Sequence, residues 1–165
     1  MPATIVSLAE RPDLIDAVAY WQWQEWGRAR GRRLASVQRD ILPLAKQHSP
    51  EAGFVLLDGD IPAGTACLTL EDLDTRPDLS PWLASVFVDP AYRGRGHATA
   101  LVRAVEQAAI ARRYATLWLF TWDAAPLYAR LGWHEVAHEE HHGSGVTLMR
   151  RDLSRAAPPP VAAGR

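Results

Sequence analysis

Residues Val86 to Ala98, reading VFVDPAYRGRGHA, carry the densest chemistry in the chain. An apolar run ends at Asp89-Pro90, a glycine-rich basic turn follows, and a helical pattern begins at once. That order makes a strand whose end feeds the N-terminus of a helix. Such a turn offers free backbone N–H groups and the positive end of a helix dipole, to which Arg93 and Arg95 add two guanidiniums. A diphosphate is the ligand this arrangement suits. Gly94 and Gly96 allow close approach, because a Cβ at either would take the space of an oxygen. Further along, Ala125-Pro126-Leu127-Tyr128-Ala129-Arg130-Leu131-Gly132-Trp133 presents a phenol on a short helix. With a pKa near 10, a tyrosine hydroxyl can serve as a proton donor; packing alone would explain the same residue.

His134-Glu135-Val136-Ala137-His138 matches the H-E-x-x-H pattern of zinc peptidases. That chemistry needs a helix, so that imidazoles four apart converge on one ion. Here the segment follows directly on the helix stop at Gly132, with β-favouring Trp133 and Val136 in it, so no metal is expected. Cys67 is the only cysteine and has no base beside it in the pattern, so a covalent thioester intermediate is not expected.

The elements that must position these groups are legible from pattern. Thr4 to Ser7 reads as a first strand; Pro12 opens a helix carrying Leu14, Val18 and Trp21 on one face. A second helix from about Leu34 aligns Val37, Ile41 and Leu44, with a kink at Pro43. Phe54 to Leu57 and Ala63 to Leu70 read as a hairpin around Asp58-Gly59-Asp60. An acidic, proline-containing loop over 71–81 precedes the strand Trp82 to Val88. From His97, Ala98, Leu101, Val102, Val105 and Ala109 line one helix face, with Arg103, Glu106 and Gln107 on the other. Thr116 to Thr121 is a strand, Ala124 to Leu131 a helix capped by Gly132, and Trp133 to Val136 pairs with Val146 to Arg150 around a polar loop at 141–145. Trp21, Trp23 and Trp26 read as a partly buried aromatic face, and Glu71, Asp72, Asp74 and Asp78 as either a solvated loop or a negative potential that attracts a cationic amine.

Read as Arg93-x-x-Gly96-x-Ala98, the turn resembles the acetyl-CoA pyrophosphate loop of the GNAT family of N-acetyltransferases. The segment Ala125 to Trp133 resembles that family's later helix. The resemblance spans about residues 4 to 153, and its specific part is about 83 to 133. It implies an α/β fold: a central, mostly antiparallel twisted sheet with helices on both faces. It implies acetyl-CoA as co-substrate, held at Phe87, Val88, Arg93, Gly94, Arg95, Gly96, His97, Ala98 and Thr99, and a small-molecule or peptide amine as acceptor. By the same resemblance Tyr128 protonates the leaving thiolate, and the backbone N–H of Val88 or a neighbour polarises the thioester. A lysine-like amine is neutral in only about one part in 10³ at pH 7.4, so deprotonation costs about 4 kcal/mol and needs a base. Glu71, closing the strand next to the acyl-bearing one, is the candidate.

Other readings stay open. A dinucleotide fingerprint would want glycine where Thr99 stands. A non-catalytic acyl-CoA-binding domain and a zinc hydrolase are the alternatives in function. The 165 residues suit one domain over 1–153, with a tail over 154–165 too poor in apolar groups to pack. A net charge of −1 gives no reason to expect nucleic acid, and no apolar run is long enough to span a bilayer. One cysteine and no signal-like N-terminus fit the cytoplasm. The oligomeric state, a homodimer included, is left open.

Overall fold

The computed structural model describes residues 2–154; most of the tail lies outside the described residues. Seven strands form one sheet in the order β1-β2-β3-β4-β5-β7-β6. They are β1 (Ala3–Ser7), β2 (Ala52–Asp58), β3 (Ile61–Thr69), β4 (Trp82–Val88), β5 (Thr116–Thr121), β6 (His134–His141) and β7 (Ser144–Asp152). Every pairing is antiparallel except β4 with β5. Four α-helices are interleaved among the described residues: α1 (Ile15–Gln22), α2 (Leu34–Asp40), α3 (His97–Ala111) and α4 (Ala125–Arg130). The sheet is mixed, mostly antiparallel and covered on both faces, as the resemblance implies. Among the described residues, no helix is long and apolar enough to cross a membrane.

Strand alternation divides the core. Leu56, Ala66, Leu68, Leu117 and Leu119 face α3, while Val55, Leu57 and Cys67 face α1 and α2. On the flank of β5 and β7, Trp82 and Leu148 pack under Leu73 from the 71–81 loop. That loop is therefore anchored against the sheet rather than free in solvent.

Three departures from the sequence pattern bear on the site. The helix after Pro12 does not run on: α1 passes into a π-helical turn at Trp23–Gly27 and a 3-10 turn at Arg28–Arg30. Glu106, placed by its charge on the solvent face of α3, is buried. It lies four residues after Val102, on the core stripe, and accepts from Trp133 Nε1 at 3.0 Å and Arg103 at 2.7 Å. Its charge is thus matched inside the protein. The third departure is the last hairpin, longer than predicted: the polar loop shrinks to His142-Gly143, both at positive φ. That is the handedness a two-residue turn needs to continue the twist of its strands.

Candidate functional site

Strands β4 and β5 diverge as soon as they meet. Their parallel pairing is confined to Trp82 opposite Trp118, so the sheet splits towards the C-terminal end of β4. A bulge helps to open the gap: the β3–β4 register shifts between Thr65 and Cys67, opposite Ser85 and Val86. Ser85 sits at φ 56°, a conformation that disfavours residues with a Cβ and recurs at functional sites. No local sequence signal announces this bulge.

Two cavities enter the split. One, of about 370 Å³, is lined by Phe87, Val88, Arg93, Gly94 and the first turn of α3 at Gly96 to Thr99. Gly94 and Gly96 stand at φ 77° and 79°, and a Cβ added to either would meet no protein atom within 4 Å. The space is open on the side a phosphate would approach. Three features fit this cradle to a diphosphate: the unpaired N–H groups that open α3, the helix dipole, and His97, whose buried Nε2 has no protein partner. Arg93 is braced for the task, its Nε donating to the carbonyl of Val88 at 2.8 Å and its guanidinium lying over the Phe87 ring. Arg95 does not line the cavity; it pairs with Asp58 at 3.3 Å and lies over Tyr92.

The second cavity, of about 500 Å³, lies across the split. Its walls come from separate places: Trp26 and Arg30 after α1, Asp72 and Asp74 from the 71–81 loop, Phe120 to Asp123 at the end of β5, and His141 and His142 at the last turn. Glu25, Val86, Ala124 and Tyr128 line both cavities, so the two meet there. Tyr128 is buried at 7% exposure and stacks edge-on against Trp133. Burial, with Asp123 adding to it, pushes its phenol up to about 12, so the hydroxyl keeps its proton at any working pH.

Glu71 is exposed and lines neither cavity. Its neighbour Asp72 lines the second one, and its carboxyl is raised to about 7. Desolvation is the main cause; Arg30 opposes the rise and Asp74 adds to it. Asp72 is half-buried and faces the second cavity. Of the tryptophans, Trp26 lines the cavity, Trp23 donates to the carbonyl of Arg32 at 2.9 Å, and Trp21 packs on Phe87. Cys67 is fully buried beside Gln22, its thiol raised by desolvation to about 12, which leaves it no nucleophilic form. The H-E-x-x-H segment lies in β6, where a bulge at Val136 turns His134 and His138 to opposite faces. They cannot converge on one ion.

The family model described as the acetyltransferase (GNAT) family matches residues 15–133. The chain belongs to that family. Solved structures of GNAT proteins resemble this family member over almost their whole length. An aminoglycoside 6'-acetyltransferase of type Ii superposes with a TM-score of 0.71 at 17% identity, covering 97% of this chain and 100% of its own. An aminoglycoside 6'-N-acetyltransferase complexed with coenzyme A gives 0.72 at 14%, covering 95% and 99%. The ribosomal-protein-S18-alanine N-acetyltransferase from Escherichia coli gives 0.65 at 21%, covering 92% and 94%. At such identities these likenesses speak for the fold. No curated protein sequence matches the chain. Within the GNAT domain, the matched residues end at Trp133, so β6 and β7 with their cavity-lining turn lie beyond the matched segment.

Proposed function

We propose that this GNAT protein transfers the acetyl group of acetyl-CoA to a primary amine by direct attack. The observation that carries the reading is the meeting of the two cavities at Val86, Ala124 and Tyr128, one suited to a diphosphate and the other lined with carboxylates. Acetyl-CoA supplies an activated acyl carbon and a thiolate leaving group. The α3 N-terminus, Gly94, Gly96 and Arg93 hold its diphosphate, and the split between β4 and β5 leads its thioester towards Val86. A backbone N–H of Val86 to Val88, on the strand side that has no β5 partner, polarises the thioester carbonyl.

Asp72 is the base of this scheme. A carboxylate near pKa 7 takes the ammonium proton far better than an ordinary one near 4. The neutral amine then adds to the acyl carbon, the C–S bond breaks as Tyr128 donates its hydroxyl proton to sulfur, and the second proton of the nitrogen, lost as the amide forms, returns through solvent to the phenolate. The desolvation that raises the phenol also raises a thiolate beside it, so donor and acceptor stay matched. Transfer needs no metal in this scheme.

The test is thiol release from acetyl-CoA with a panel of primary amines, the N-acetyl product identified by mass. Acetyl transfer to an amine is the expected result. Tight coenzyme binding without release for any amine would make the protein a non-catalytic acyl-CoA-binding domain.

A further inference from the structure

Four carboxylates line the acceptor cavity: Glu25, Asp72, Asp74 and Asp123. None has a hydrogen bond or salt bridge to another described residue. Of the two lining arginines, Arg32 is held by Asp40 at 2.5 Å, which leaves Arg30 as the lining guanidinium without a salt bridge. With Arg30 and a single ammonium at Asp72 both counted, negative charge still remains in the cavity. The second observation is aromatic. Phe120, Trp122 and His141 form a cluster with ring centroids 4.8 to 5.8 Å apart, and the Trp122 indole is 41% exposed. Aromatic faces attract cations, and Arg30 already lies over Trp122 at 5.9 Å.

Asp74 stands beside this cluster, its carboxylate and the imidazoles of His141 and His142 all within 4.8 Å. Burial, His142 and Arg30 hold His141 below its ordinary range, while Asp74 opposes them. Asp74, His141 and His142 line the acceptor cavity alone, whereas the residues shared with the coenzyme cavity mark the place of transfer. The cavity thus has two places for positive charge, one at Asp72 and one at Asp74.

We propose that Asp74 and the Phe120–Trp122 wall bind a second cationic nitrogen of the acceptor, so that this protein acetylates small di- and polyamines in preference to monoamines. The inference rests on the transferase reading above and names its substrate class. A substrate ammonium at Asp74 answers charge that the fold leaves open, and long-range attraction between the two adds to the rate of encounter.

The experiment compares kcat/KM for butylamine, 1,4-diaminobutane and spermidine with acetyl-CoA, at low and high salt. The spermidine-to-butylamine ratio should be at least about tenfold at low salt and shrink as salt screens the charges. Asp74→Asn should cut that ratio by about tenfold through KM, and Asp74→Glu should restore most of it. Thermal melting confirms that each variant is folded. A ratio near one, or an equal loss for all three amines in Asp74→Asn, overturns the inference while keeping the transferase reading. No thiol release with any amine overturns both.

Discussion

The two sides of the split sheet are built on different plans. The coenzyme side is built mainly from one segment, residues 86 to 99, closed by Glu25, Ala124, Leu127 and Tyr128, and works largely through backbone: N–H groups, two glycines at positive φ and a helix terminus. The acceptor side is assembled from segments scattered between residues 22 and 142 and works through side chains. A backbone cradle constrains its own sequence, because glycine adopts those torsions without the steric cost other residues bear and a strand–turn–helix order makes the helix end available. A side-chain cavity constrains no local pattern. The chain accordingly announces its coenzyme side and conceals its acceptor side.

Tyr128 joins the two sides, and its removal should have the largest effect. Tyr128→Phe keeps the ring and loses the hydroxyl, so kcat should fall by about 10² to 10⁴, or about 3 to 5 kcal/mol. KM for acetyl-CoA should move far less, since the contact matters mainly in the transition state. Steady-state kinetics checks this; near-normal turnover with chemistry rate-limiting would leave Tyr128 as packing. On the coenzyme side alone, Gly96→Val should weaken acetyl-CoA binding by about 100-fold or more, because the β-branched side chain enters the phosphate space and resists φ 79°. Calorimetry showing unchanged affinity would remove the diphosphate from this turn.

On the acceptor side, Asp72→Asn should lower kcat/KM by about 10- to 100-fold and abolish an inflection near pH 7. Its effect on stability has the opposite sign. The folded carboxyl titrates near 7, above its unfolded value, so its contribution is present at acid pH and lost as pH rises through about 7. Asp72→Asn should therefore melt higher than the parent at pH 8 and nearly with it at pH 4. A pH profile unchanged in that variant would return the base role to another group. The smallest effect belongs to His134, exposed on β6: His134→Ala should shift stability by less than about 0.5 kcal/mol. Exhaustive chelation should likewise leave transfer intact.

What the sequence discloses follows the same division. The hairpin of β2 and β3, the strand β4, the turn at Arg93 to Ala98 and the long helix α3 are all readable, because period and turn chemistry specify them locally. Glu106 is hidden by its charge, although its spacing from Val102 and Val105 places it on the core face; its compensating partners Trp133 and Arg151 arrive from elsewhere in the fold. For the base, strand pattern points to Glu71 because it closes the β3 segment, but the choice between Glu71 and Asp72 depends on which carboxyl the loop turns inward. Leu73, packed beside Trp82, anchors the loop with Asp72 rather than Glu71 at the cavity. The bulge at Ser85 that helps to open the sheet leaves no residue signature.

The central claim is that two cavities hold two substrates at once on either side of Tyr128. Initial velocities measured over a grid of acetyl-CoA and amine concentrations test it most directly. The account predicts intersecting double-reciprocal lines, the pattern of a ternary complex. Parallel lines, with an acetylated protein isolated after exposure to acetyl-CoA alone, would contradict it.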